Sequence, residues 1–261
     1  MPHVIAVGNR KGGVGKTSYV LNLAHALQLV GVKVLCADLD PQRNLTDVLI
    51  GDAEPELTLF DALYGEQAGT LGQIAMSTNF AGIDLLPGDE SLARIEVEQL
   101  MAPEVRLKNA AAGADLDHYD VILLDMPPAL GRLTLNGLIY ADEARIVIDC
   151  ESFSVKGAVK FMELTTRVRG SDMYNPGLAA PRIVVNRFAG SAENKYQLQA
   201  LQEAYGDAVI APSIPRATAV ADGQSGRVPL SKLPAKASAR ASEAFFSHAH
   251  AIKKELSSNG H

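Results

Sequence analysis

The sequence has no tryptophan, only two cysteines, and no apolar run near the roughly 18 residues that span a bilayer. Cys36 and Cys150 each sit in a strand-like apolar run. That placement excludes a disulfide framework or a cysteine metal cluster, and predicts buried thiols in a reducing, cytoplasmic compartment. With 22 glycines and 13 prolines, the chain is neither collagen-like nor low in complexity. Basic residues are the minority, 24 against 30 acidic for a net charge of -6, so a protein coated in positive charge is excluded. Met1–Arg10 does not have the form of a secretory signal, because a glycine-rich loop follows at once. What remains is 261 residues, 47% hydrophobic, enough for a full α/β core.

The charge is uneven. Residues 1–180 carry 14 basic and 24 acidic side chains, residues 181–261 carry 10 and 6. A locally basic last third suits a polyanion, although ordinary solubility patterning accounts for the asymmetry equally well.

Short aliphatic runs alternate with helical stretches along the whole chain. Strands are expected at His3–Val7, Lys33–Ala37, Ile83–Leu86, Tyr119–Leu124, Arg145–Ile148 and Arg182–Val185. Continuous apolar strands separated by helices are what a parallel sheet covered on both faces requires. The expected fold is therefore α/β, a doubly wound, mostly parallel sheet with helices on both faces. It forms one domain over residues 1–261, with a C-terminal helix at 236–256 packed on the body through Phe245, Phe246, Ala249 and Ile252. Residues 51–81, apart from a short helix near Leu57–Leu63, and residues 211–235 read as irregular chain.

The segment Gly8-Asn9-Arg10-Lys11-Gly12-Gly13-Val14-Gly15-Lys16-Thr17 follows an expected strand and opens an expected helix. That is the setting of a phosphate-binding loop. Its glycines turn backbone N–H groups toward one point, Lys16 can reach the β- and γ-phosphates, and Thr17 can place its hydroxyl on Mg²⁺. Arg10 stands where the ordinary loop has glycine, and Lys11 is a second lysine that the loop's own geometry does not need. Asp38 and Asp40 fall at the end of the second strand, before Pro41, where open sheets bind ligands. Asp125 ends the aliphatic run Tyr119–Leu124, before Pro127-Pro128, in the form of a Walker B strand whose carboxylate holds magnesium through water. A helix cap or turn carboxylate remains the plainer alternative for Asp38.

Lys11–Thr17, Asn22-Leu23-Ala24, Asp38–Gln42 and Asp125–Pro128 together resemble the ParA branch of the ParA/MinD family of deviant Walker A ATPases. The resemblance continues through Cys150–Gly157, Val185-Asn186-Arg187 and Ile214-Pro215-Arg216, and so covers nearly the whole chain. It implies a P-loop NTPase that binds ATP and Mg²⁺ as a sandwich dimer, binds DNA nonspecifically in that state, and hydrolyses ATP slowly until a ParB-like centromere-binding protein stimulates it. Plasmid or chromosome segregation follows from the same resemblance, with a cytoplasmic protein that is nucleoid-associated when ATP-bound.

Carried onto this sequence, Lys11 crosses the dimer interface to the partner's ATP. Gly12, Gly13, Val14, Gly15, Lys16, Thr17 and Ser18 cradle phosphate. Thr17, Asp40 and Asp125 serve the metal, and Asp40 also orients the attacking water. Asn186 reads the adenine edge with help from Pro215 and Arg216, and an amide does offer the donor and acceptor that such an edge needs. No winged-helix extension precedes Met1, so the resemblance is to the short partition ATPases, whose DNA contact comes from the body. The candidates are Arg187, Lys195, Arg216, Arg227, Lys232, Lys236 and Arg240.

Arg43 replaces a usual glycine, Ser18 a common threonine, and the stretch after Arg216 departs from the family pattern, which leaves the cargo open. A carboxysome or another large assembly is one alternative. A biosynthetic ATP-dependent enzyme of the dethiobiotin or cobyrinate synthetase kind is another, and Lys11 and Asp40-Pro41-Gln42 speak against it. The tail Ala249–His261 has too few bulky aliphatics for a membrane-binding helix, so no membrane partner is expected.

Overall fold

The aliphatic runs become strands of one eight-stranded sheet. In the computed structural model, residues 1–65, 67–149, 155–217 and 235–258 are described, those at 155–157 and 235–237 by backbone alone. The strands are β1 (His3–Gly8), β2 (Val34–Asp38), β3 (Met76–Ser77), β4 (Ile83–Leu86), β5 (Val121–Asp125), β6 (Glu143–Asp149), β7 (Arg182–Asn186) and β8 (Val209–Ile210). They lie in the order β3-β4-β2-β5-β1-β6-β7-β8. Every pairing is parallel except β3 with β4.

The connecting helices are α1 (Lys16–Leu29), α2 (Asn44–Ile50), α3 (Leu59–Gly65), α4 (Leu71–Ile74), α5 (Ala93–Val97), α6 (Arg106–Ala111), α7 (Arg132–Tyr140), α8 (Val155–Arg169) and α9 (Ala192–Tyr205), followed by a C-terminal helix, Ala235–Ser258. Successive strand residues point to opposite faces, and here both faces are buried. Val4 and Ala6 of β1 pack with Leu35, Ala37, Ile122 and Leu124 under helices that include α7 and α8. Ile5 and Val7 pack with Val34, Cys36, Val121 and Leu123 under α1, α2 and the C-terminal helix. This is the doubly wound α/β fold that the sequence implies.

Ala241, Ala244, Phe245, Ala249 and Ile252 of the C-terminal helix are buried, and the Phe245 ring lies 5.8 Å from that of Tyr19 on α1. Phe246, expected on the same stripe, is only half-buried against it. Cys36 is fully buried, while Cys150 lies outside the described residues. Residues 51–81 are more ordered than expected, since they contain α3, α4 and the antiparallel edge strand β3. No helix among the described residues is long and apolar enough to cross a membrane.

Because β1 sits centrally between β5 and β6, chain leaving β1 turns to one side of the sheet and chain leaving β5 returns on the other. The crevice outside their carboxyl ends is the topological switch point, where such sheets bind ligands.

Candidate functional site

The loop from Gly8 to Thr17 crosses this crevice. Gly13 and Gly15 have φ of 75° and 91°, left-handed values that β-carbons disfavour. Gly15 is also the N-cap of α1, and no side chain caps the helix there. The backbone N–H groups of the first turn therefore remain directed at the crevice, at the positive end of a 14-residue helix. Lys16, the first helical residue, is 7% exposed. Burial lowers its pKa, and Asp125 and Asp40 pull the other way by favouring the charged form.

Side chains at the ends of β1 and β7 hold the loop. Asn9, fully enclosed, donates from Nδ2 to the Val147 carbonyl of β6 (2.7 Å) and accepts the Lys11 N–H at Oδ1 (3.0 Å). Asn186, at the end of β7, donates to the Val14 carbonyl (2.8 Å) and accepts the Arg187 N–H (2.9 Å). Arg187 donates to the Gly13 carbonyl (2.8 Å) and pairs with Asp149 at 3.5 Å. Sequence reasoning missed Asn9 and Asp149. The one available signal was a polar residue directly after an aliphatic strand, which turn chemistry explains as readily.

Three carboxylates line the floor. Asp38 and Asp125 are register neighbours on β2 and β5, both buried. Asp38 accepts the N–H and hydroxyl of Thr46, each at 2.8 Å, and the Asp40 N–H at 3.2 Å. Burial raises its pKa, and these donors oppose the rise. Its role in the fold is to tie α2 to β2, with the Gly88 N–H bonded in turn to the Thr46 hydroxyl (2.9 Å). Asp40 is 8% exposed and accepts the Gln42 N–H at 3.0 Å.

Neither oxygen of Asp125 meets hydrogen-bond geometry with any partner. Burial and the facing Asp38 push its pKa well above the carboxylate range, with Thr17 and Lys16 opposing and Asp40 adding. A buried carboxylate with unused lone pairs is an acceptor built for a cation. Among the described residues no three His, Cys, Asp or Glu side chains are grouped to hold a metal unaided. Magnesium takes one or two carboxylates and completes its shell with water and substrate phosphate, and Asp125 offers one.

On the far side, Pro215 lies beside Phe188, and the Arg216 N–H donates to the Phe188 carbonyl (3.0 Å). Pro215 and Arg216 thus run beside the chain just after Asn186, which itself bonds the loop at Val14. Beyond these two bonds, the Asn186 amide retains a second Nδ2 hydrogen and a second Oδ1 lone pair. The described DNA candidates sit on different elements. Arg187 is wired into the phosphate loop, Lys195 is exposed on α9, and Arg240 is exposed on the C-terminal helix. Lys236 is described by backbone alone, and Arg227 and Lys232 lie outside the described residues.

Residues 2–179 match a family model described as an AAA domain. Over 229 residues, 85% of this chain and 84% of the relative, the sequence is 33% identical to the chromosome partitioning protein ParA of Caulobacter vibrioides. The chain belongs to the ParA family. Among solved structures, cobyrinic acid a,c-diamide synthase from Mycobacterium smegmatis with bound ADP and magnesium is 29% identical, with a TM-score of 0.81 covering 99% of this chain and 97% of that one. A variant of McdA from Cyanothece in complex with ATP is 20% identical, with a TM-score of 0.77 over 98% and 96% of the two chains, and shares the fold. The chain is thus a P-loop ATPase of the ParA family, and its glycine-rich loop lies at the carboxyl ends of the central strands.

Proposed function

We propose that this ParA-family protein is an ATP-dependent DNA partition ATPase, dimeric and DNA-bound with ATP and released when a ParB-like activator stimulates hydrolysis. The observation that carries the nucleotide chemistry is Asp125, buried without a hydrogen-bond partner beside Lys16 at the positive end of α1. Gly12 to Ser18 present backbone donors to phosphate, and Lys16 adds the charge. Magnesium would supply positive charge to offset that of the phosphates. Thr17, Asp40 and Asp125 are the residues that would hold it, directly or through water. Asp40, kept in place by the Gln42 N–H, orients the attacking water. Catalysis is then positioning plus charge, which supports a slow intrinsic rate until a partner completes the site.

Two triphosphates brought face to face repel, so a lysine from each subunit must offset them, and Lys11 at the mouth of the loop is suited to that. Joining two chains doubles the basic residues offered by the last third, and backbone phosphate contact is indifferent to base sequence. Nucleoid association in the ATP state follows.

The deciding experiment is anisotropy of a labelled random duplex titrated with protein, in ADP and in ATP with Asp40→Ala, at two salt concentrations. Binding is expected only with ATP, with steep loss at the higher salt. Arg240→Glu is expected to weaken every duplex alike. Equal binding in both nucleotides, or none, would overturn the DNA reading.

The M. smegmatis structure supports a second reading, an ATP-dependent biosynthetic amide synthase. DNA-independent ATP turnover that rises with a small carboxylic acid substrate and an amide nitrogen donor would favour it.

A further inference from the structure

Tyr19, Arg145 and His248 are buried polar residues on three separate elements, and phosphate chemistry uses none of them. Arg145 of β6 pairs through Nε with Glu143 at 2.7 Å and donates from Nη1 to the Tyr19 oxygen at 3.1 Å. A guanidinium only donates, so the Tyr19 oxygen accepts, and its own proton goes to His248 Nδ1, 3.0 Å away. The other ring nitrogen, Nε2, lies 2.9 Å from the Pro212 carbonyl, which only accepts, so Nε2 carries the hydrogen. Burial, with Arg145 and Arg182 adding to it against the Pro212 bond, keeps this ring neutral. The donors therefore run one way, from β6 through α1 and the C-terminal helix to Pro212.

Pro212 begins the segment that flanks Asn186. Two residues on, the Ile214 N–H donates to the Val185 carbonyl (2.8 Å), and its carbonyl accepts the Phe188 N–H (2.9 Å). Pro215 and Arg216 continue along the same edge. In the middle of the chain of bonds, Tyr19 lies in α1, less than a turn beyond Lys16 and Thr17.

We propose that His248 and Tyr19 are positioning residues for the base side of the nucleotide site, so that the C-terminal helix sets base affinity and selectivity from a distance. The segment Pro212–Arg216 is a wall whose place is fixed at its start by His248, and Tyr19 ties that wall to the helix holding the phosphates. This rests on the reading of Asn186, Pro215 and Arg216 as the base-binding group. Loss of the relay lets the wall drift from the base while the phosphate loop, held independently by Asn9 and Arg187, keeps its form.

The test compares His248→Phe, Tyr19→Phe and His248→Gln with wild type in steady-state hydrolysis of ATP and GTP, alongside melting temperature. His248→Phe and Tyr19→Phe should raise the KM for ATP by roughly five- to tenfold, the effect of leaving a buried partner unsatisfied, and lower the preference for ATP over GTP by a similar factor. The kcat for ATP should stay within about twofold of wild type, since the phosphate contacts are unchanged. His248→Gln keeps a donor for the Pro212 carbonyl and should recover part of the preference. Tyr19→Phe loses one oxygen and keeps its ring against Phe245, so it carries the test should His248→Phe fail to fold. Wild-type KM and preference in both Phe variants, whatever their melting temperatures, would overturn the proposal. A wild-type protein that hydrolyses ATP and GTP with equal KM would instead overturn the base-site reading beneath it.

Discussion

Asn186 donates its amide to the Val14 carbonyl at 2.8 Å, and the same nitrogen fills the space that a β-carbon on Gly15 would need. The end of β7 and the phosphate loop are therefore packed directly together. Gly15→Ala places a β-carbon at φ 91° and also displaces Asn186, so the loop must give way twice. We expect a stability loss of about 1–2 kcal/mol from the left-handed backbone, with ATP affinity falling by more than tenfold. Asn186→Ala on top of Gly15→Ala should cost less than the two separate losses combined, because the clash then disappears. Chemical denaturation and nucleotide titration of the four proteins in this cycle measure it, and strict additivity would contradict the contact.

Lys16 and Asp40 share the crevice but should fail differently. Lys16→Ala removes the buried charge on the phosphates, and binding of a fluorescent ATP analogue should disappear. Asp40→Ala leaves the loop intact, so ATP should remain bound while phosphate release drops by at least about a hundredfold, the usual scale of a lost water-activating group.

Lys11 should matter to assembly and not to the subunit's own loop. In an Asp40→Ala background, ATP and magnesium should yield a dimer by light scattering, and the added Lys11→Ala should leave a monomer that still binds ATP. A stable dimer from the double variant would remove Lys11 from the interface.

Acid should loosen the join between β6, α1 and the C-terminal helix. Burial pushes the Glu143 carboxyl up, but Arg145, His3 and Arg182 outweigh it and hold the pKa down at about 2. Burial pushes His248 down to about 4. Both groups bind protons less readily folded than unfolded, so each contributes stability above its unfolded pKa and loses it as pH falls. The His248 share fades from 6.5 toward about 4, and the Glu143 share from 4.5 toward about 2. At about 1.4 kcal/mol per pKa unit, each is worth about 3 kcal/mol at neutral pH. Urea denaturation of wild type and His248→Phe from pH 7 to 4 checks the first share, since the gap between the two proteins should narrow across that range.

Most of the sheet was legible because a strand buried on both faces must be continuously aliphatic. Ile83–Leu86 matches the expected run at both ends, and the others shift by one or two residues. The same rule hid the start of β6, where Glu143 and Arg145 are buried as a pair inside the strand. The edge strands β3 and β8 have two residues each and leave no period to detect. The phosphate loop was legible because its glycines and lysine answer to local geometry. Asn9, Arg187 and His248 were not, since their roles depend on carbonyls brought near by chain more than 30 residues away. Arg187 was read as a DNA-contact candidate for that reason.

The facing pair Asp38 and Asp125 carries a further consequence. Two enclosed carboxylates side by side cannot both stay ionised without a counter-charge, and the one open to Asp125 is a proton or a cation. Beyond what Lys16 offsets, a magnesium ion held by Asp125 would have to displace that proton. Nucleotide loading would then be coupled to acidity: the apparent affinity for magnesium nucleotide is expected to rise with pH across the neutral range, and the heat of binding to vary with the ionisation enthalpy of the buffer, as calorimetry in two buffers would measure.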